Sequence, residues 1–347
     1  MALFDRFSKD IAIDLGTANT LIHVRHQGLV VNEPTVVAVN NKTNEILAVG
    51  DKAKLMLERT PSHISVVRPL QAGVISDFDM TYELLRQFLK GVAGSSPFGF
   101  HRAILGIPND LTEVERKSVQ DAAQSAGVSK VYLVESAVAA ALGSDLPIQE
   151  PTANLIVDIG GGTTDIAVIS MGGIVVSRTL KIAGDRFNED IIRFMREEFK
   201  LAIGEPTAEF AKIAVGSALP LEDRLEIPIR GRDFVTGLPR EVLIKNNHVR
   251  AALAKSLRTI LDAVHEVIES TPPELTGDML KEGIKISGGG ALLRGLDELI
   301  EKETAVHTEV VPEPLTAMVR GLGRIVDNFE HYRTLLDNPL KPMDIKM

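Results

Sequence analysis

One segment occurs twice in this chain, and the repeat constrains the fold more than anything else in the sequence. Asp14-Leu15-Gly16-Thr17-Ala18-Asn19-Thr20 is echoed by Asp158-Ile159-Gly160-Gly161-Gly162-Thr163-Thr164. A single offset of 144 positions carries Asp14 onto Asp158, Gly16 onto Gly160, Thr20 onto Thr164 and Gly28 onto Gly172. An apolar run precedes each copy (Ile11-Ala12-Ile13; Leu155-Ile156-Val157) and two more follow, the second opening at glycine. The pattern predicts one supersecondary unit used twice: strand, tight turn, strand, turn, strand. An aspartate at the end of a buried strand is costly unless something pairs with it, and a bound cation does so. The glycines permit close backbone approach and positive φ. Backbone N–H groups in such turns, with threonine hydroxyls beside them, suit an anion such as phosphate. Two facing turns would hold a polyphosphate, with Mg²⁺ reached from the aspartates through water.

At 347 residues the chain can bury two sizeable cores. Hydrophobic residues at 44% and charged residues at 24% suit a globular protein, and a net charge of −9 without a Lys/Arg cluster argues against nucleic acid as a partner. There is no cysteine, which removes disulfide and thiol chemistry and suits the cytoplasm. No apolar run reaches the length of a membrane span, and the N-terminus lacks a signal-peptide core. P-loop, G-x-G-x-x-G and H-E-x-x-H patterns are absent, and no Ser–His–Asp arrangement stands out.

Two apolar clusters need a reason. Leu3, Phe4 and Phe7 share one helical face, either a frayed start tucked onto the domain or a short membrane-surface helix. Phe98 and Phe100 lie in a Gly/Ser/Pro-rich loop; they either fold back onto the core or form an exposed tip for a membrane or partner. Helices are predicted over 51–59, 79–92, from Thr112 (a capping box with Glu115) to 127, 184–199, from Pro206, and 248–269. Strands are predicted at 35–39, 46–50, 103–107, 131–134 and as a pair within 225–245. Residues 144–154 read as an inter-domain link. Ile284 to Ser287 runs into Gly288-Gly289-Gly290-Ala291 as strand, glycine turn and helix, and 315–329 reads as the last helix. Glu135 falls at a strand end before an alanine-rich helix, placed either to orient a water or as a helix-start acid.

The paired D-h-G-x-x-x-T turns, the acid-bearing strand end between them and the late G-G-G-A turn resemble the actin/Hsp70/sugar-kinase ATPase superfamily. Within it the chain is similar to the MreB family of rod-shape actins. The stretches that carry this are 13–22, 32–38, 158–165, Gly237-Leu238-Pro239-Arg240-Glu241 and 287–296, together spanning nearly the whole chain. The resemblance implies an α/β, actin-like fold of two related domains, each a mixed sheet flanked by helices, with ATP in the central cleft. Domain I would comprise 1–143 with 318–347 (small subdomain about 32–77), and domain II 144–317 (small subdomain about 182–245). Gly16, Thr17, Ala18, Asn19 and Thr20, with Gly160, Gly161, Gly162 and Thr163, would wrap the phosphates. Asp14 and Asp158 would hold hydrated Mg²⁺. Glu135 would position the attacking water, assisted by Thr163 or Thr164. Glu209 and Lys212 would meet the ribose and adenine, Gly288, Gly289, Gly290, Ala291 and Leu292 would back the nucleoside, and Asp185 would lie near the cleft.

The resemblance further implies ATP-dependent, antiparallel double filaments on the inner face of the cytoplasmic membrane, guiding the cell-wall elongation machinery and rod shape. Leu3, Phe4, Phe7, Phe98 and Phe100 would then be membrane contacts. The chain departs from the family at Ser136-Ala137-Val138, where proline usually follows the glutamate, and at Glu209-Phe210-Ala211-Lys212 and Ala214, where E-R-I-K and a further acid are usual. The alternatives are a monomeric phosphotransferase of the sugar-kinase branch, a chaperone-type ATPase module, and a plasmid-segregation or division-type actin relative.

Overall fold

The structure, a computed structural model, describes residues 9–93, 99–222 and 225–337. Two five-stranded sheets dominate it, and they share one topology. The first runs, in spatial order, Val128–Glu135, Phe100–Ile107, Lys9–Leu15, Asn19–Val24 and Gly28–Pro34. The second runs Thr308–Val310, Ile284–Ser287, Asn154–Ile159, Thr164–Ser170 and Gly173–Leu180. In each, the strand ending near the repeated aspartate pairs antiparallel with the next strand in sequence and parallel with a later one. Even the register repeats: Asp14 faces Leu21 and Leu15 faces Thr20, as Asp158 faces Asp165 and Ile159 faces Thr164.

The inner strands Lys9–Leu15 and Asn154–Ile159 are largely apolar because both of their faces are covered, the pattern expected when helices flank a sheet on both sides, whereas the outer strands Gly28–Pro34 and Gly173–Leu180 keep exposed residues. Ile11, Ile13 and Leu15 point into one core while Ala12 points into another. Leu155, Val157 and Ile159 likewise join the core of the second sheet, and Ile156 joins the layer that Ala12 enters. That shared middle layer contains the helices Ser136–Gly143 and Ala317–Asp327, so it welds the two sheets together. The helices cross at glycines: a methyl on Gly321 would lie 1.8 Å from the Ala139 carbonyl oxygen, and one on Gly143 would lie 1.8 Å from that of Ala317.

Two smaller sheets sit beside the main ones. One joins Glu45–Val49, Val37–Asn40 and Ile64–Val67; the other joins Leu201–Ala202, Glu226–Asp233 and Pro239–Lys245. Most predicted elements are present, including the Thr112 capping box, whose hydroxyl accepts from the Glu115 N–H while the Glu115 carboxylate accepts from Thr112.

Several expectations are corrected. The helix from Asp51 ends at Lys54. The Gly288–Gly290 turn leads into one 3-10 turn, Gly289–Leu292, and the helix begins only at Leu296, because Gly288 and Gly295 both take left-handed φ (79° and 70°) and interrupt it. The helix Pro273–Glu282 was not anticipated, although Pro273 in its first turn and Gly283 after it are helix start and stop signals. Phe100 does not form an exposed tip: it is 4% exposed, opens the strand Phe100–Ile107, and packs in the first core with Phe88 and Leu89. An aromatic beginning a central strand is worth more inside than in water. Leu3, Phe4, Phe7 and Phe98 lie outside the described residues.

Candidate functional site

The two repeated turns meet across a cleft of about 680 Å³. A methyl on Gly161 would fall 2.6 Å from the Ala18 Cβ, and one on Gly162 would fall 2.4 Å from the Thr17 hydroxyl. Neither glycine has positive φ, nor do Gly16 and Gly160. Glycine is required here by the close approach of the turns and not by backbone conformation, which corrects part of the sequence argument. Among the described residues, the N–H groups of Thr17, Ala18, Gly161 and Gly162 donate to no protein acceptor. Free amide donors converging on a cleft form a nest for an anion.

The repeated strands deliver their acids to this point. Asp14, Asp158 and Asp165 line the cleft, and no cation pairs with any of them among the described residues. Burial, and then the neighbouring Asp158 charge, pushes the Asp14 carboxyl up to about 8. Burial raises Asp158 to about 6 against a 2.7 Å hydrogen bond donated by the Ser287 hydroxyl. Burial raises Asp165 to about 7, opposed chiefly by the Thr179 hydroxyl at 2.6 Å. Buried carboxylates without a basic partner favour a cation brought in with a ligand. No group of three or more His, Cys, Asp or Glu among the described residues is placed to hold a metal directly. Two buried carboxylates without a protein cation, Asp14 and Asp158, would fit a hydrated divalent ion held through water.

Farther along the cleft lie Asp185, Glu209, Lys212, Gly288, Gly289, Gly290 and Leu292. Burial raises the Asp185 carboxyl, opposed first by Arg68. Burial lowers the Lys212 ammonium, opposed first by Glu209. Lys212 Nζ donates to the Gly184 carbonyl at 2.9 Å, tying two helices together beside the cleft. Gly288 is required twice over, by φ of 79° and because a methyl there would lie 2.3 Å from the Ile159 carbonyl oxygen.

Three anticipated residues stand behind the wall and do not line it. The Thr164 hydroxyl is fully buried and donates to the Ile182 carbonyl, while Thr163 lines the cleft. Thr20 shares a hydrogen bond with the Thr35 hydroxyl at 2.9 Å, and Ala291 is buried behind the glycine turn. Glu135 lies at the end of its strand beside Ser136, which does line the cleft; its carboxylate faces Arg116 at 3.5 Å.

Sequence reasoning missed Arg68, Lys54 and Asp165. Arg68 reaches across to Glu205 at 2.5 Å and Asp185 at 4.0 Å, and Lys54 to Glu209 at 3.3 Å. Nothing local in the sequence marks these cations, because their partners are more than a hundred residues away. Asp165 was legible as an acid interrupting the start of an apolar strand.

A twice-used sheet with facing glycine turns and buried acids defines an actin-like fold. The family model described as MreB/Mbl protein matches residues 8–334, and the chain belongs to the MreB/Mbl family of actin-like, cell shape-determining cytoskeletal proteins. It is 45% identical over 324 residues to the cell shape-determining protein Mbl of Bacillus subtilis (strain 168), covering 93% of this chain and 97% of that one. It is 44% identical over 326 residues to the cell shape-determining protein MreB of Escherichia coli (strain K12), covering 92% and 94%. The crystal structure of MreB5 of Spiroplasma citri bound to ADP superposes with a TM-score of 0.88 at 39% identity, covering 93% of this chain and 98% of that one.

Proposed function

We propose that this chain binds ATP with Mg²⁺ in the cleft, hydrolyses it, and polymerises into paired filaments on the inner face of the cytoplasmic membrane, where they organise cell-wall synthesis and rod shape. The observation that carries the nucleotide reading is the pair of facing turns with unpaired N–H donors above buried, cation-free Asp14 and Asp158. The relative MreB5 of Spiroplasma citri, which is bound to ADP in one crystal structure and to AMPPNP in another, supports it. We also propose the division into domains and subdomains given by the resemblance.

In the mechanism, the N–H groups of Thr17, Ala18, Gly161 and Gly162 hold phosphate oxygens, and Glu209, Lys212 and Leu292 hold the nucleoside. Mg²⁺ bound from Asp14 and Asp158 through water would offset the phosphate charge. Glu135 and Thr163 orient the attacking water. Its oxygen bonds to the γ-phosphorus as the bond to the β–γ bridging oxygen breaks; ADP leaves with the electron pair, and the water proton passes through the Glu135 carboxylate to the phosphate product. Positioning and charge neutralisation do the chemistry, without a covalent intermediate.

Electron microscopy of the full chain with Mg·ATP on lipid, against nucleotide-free and lipid-free controls, tests the whole reading. Paired filaments on the membrane only with nucleotide are expected. A protein that binds ATP yet stays monomeric would leave the nucleotide site standing and return the function to a phosphotransferase.

A further inference from the structure

Glu135 occupies the N-cap position of the helix Ser136–Gly143, where an acid commonly serves the helix. Its side chain makes no capping hydrogen bond. It is 8% exposed, yet the only ion-pair partner its carboxylate has among the described residues is Arg116, whose Nη2 lies 3.5 Å from Oε1. The other oxygen, Oε2, makes no hydrogen bond within the described residues. A carboxylate that neither caps its helix nor fills its hydrogen-bonding capacity is available to a water, provided something fixes its rotamer.

Arg116 is built to do that. Its backbone belongs to the first turn of the helix Glu113–Ser125, locked by the Thr112–Glu115 capping box, and its N–H donates to the Thr112 carbonyl at 2.9 Å. Its Nε donates to the Leu111 carbonyl at 3.4 Å, which leaves Nη2 aimed at Glu135. The guanidinium fork is planar and permanently charged, so one anchored end orients the other. Helix and strand are thus joined by a half-buried charge pair one residue from the cleft wall.

We propose that Arg116 is the positioning residue for Glu135: it holds Oε1 so that Oε2 meets the attacking water. This rests on the ATPase reading above. A 3.5 Å contact is at the outer limit of a hydrogen bond, and contacts of this kind tighten when the nucleotide complex forms. Arg116 does not line the cleft, so it acts through Glu135.

The test is a double-mutant cycle in single-turnover phosphate release, with nucleotide affinity measured in parallel. It uses the full chain with saturating Mg·ATP and the variants Glu135→Gln, Arg116→Ala, Arg116→Lys and the double variant Glu135→Gln/Arg116→Ala. Arg116→Ala should slow release by about tenfold to a hundredfold, the range that a small misplacement of a catalytic group produces. ATP affinity should stay unchanged, Arg116→Lys should recover part of the rate, and the double variant should be no slower than Glu135→Gln alone. Wild-type release from Arg116→Ala, or losses that multiply in the double variant, would overturn the proposal. If Arg116→Ala does not fold, Arg116→Lys decides: it keeps the charge but not the fork, and wild-type release from it counts against the proposal. A Glu135→Gln variant with unaltered release would instead bring down the ATPase role of Glu135, and the proposal with it.

Discussion

Asp14, Asp158 and Asp165 are acids that the folded chain holds in protonated form more readily than the unfolded chain does. The unfolded Asp14 carboxyl releases its proton near 3.8, whereas the folded one keeps it up to about 8. Between those values the folded state binds more protons, so the stability contributed by this group is complete below the lower one and is lost as pH rises toward the upper one. Thermal unfolding without nucleotide or Mg²⁺ should therefore show a midpoint that falls from about pH 5 to about pH 8, by about 2 °C for each kcal/mol lost. Asp14→Asn should flatten that slope, and Mg·ATP should flatten it in the wild-type chain by supplying the missing positive charge. A midpoint independent of pH would mean the acids are solvated in the resting cleft. Asp14 and Asp158 stood out in the sequence as polar ends of apolar strands. Arg68, Lys54 and Arg116 did not, because a cation's role is set by the partner that folding brings to it.

Among the secondary-structure elements, the crossing of Ser136–Gly143 with Ala317–Asp327 matters most. Gly321 and Gly143 have backbone carbonyls, which cannot yield, where a side chain would go. Gly321→Ala should force the helices apart and destabilise the chain by about 1–3 kcal/mol or more, the usual result of overpacking a tight core. Denaturant unfolding measures this; a midpoint equal to wild type would show that the helices can slide. Strongly periodic helices and apolar strands were readable from the residues alone, since each carries its own pattern. The shortened helix at Asp51–Lys54 was not, nor was the 3-10 turn after Gly288, whose limits are set by the left-handed Gly288 and Gly295. The aromatic loop shows the same limit: Phe100 has the composition of an exposed tip but the position of a core strand residue.

For the molecule as a whole, the cleft has a mouth as well as a floor. Arg68 meets Glu205 and Asp185, Lys54 meets Glu209, and the Glu58 carboxylate accepts from the Glu205 N–H at 3.1 Å. These contacts join the segment 54–68 to the segment 185–209 across one end of the cleft. Each pair is part-exposed and worth at most about 1 kcal/mol, so Arg68→Ala should speed nucleotide release by up to about fivefold. Stopped-flow release of a fluorescent ATP analogue measures it, and an unchanged rate would mean that the mouth opens without breaking these pairs. Duplication, the two sheets and the glycine turns were legible in the linear chain, because a repeated apolar-acid-glycine pattern has few ways to bury its strands. Which turn faces which, which acids stay unpaired, and which distant cations close the cleft were decided only by the packing of the two sheets on their shared helices. Those contacts join residues far apart in the chain, and no local pattern encodes a distance between them.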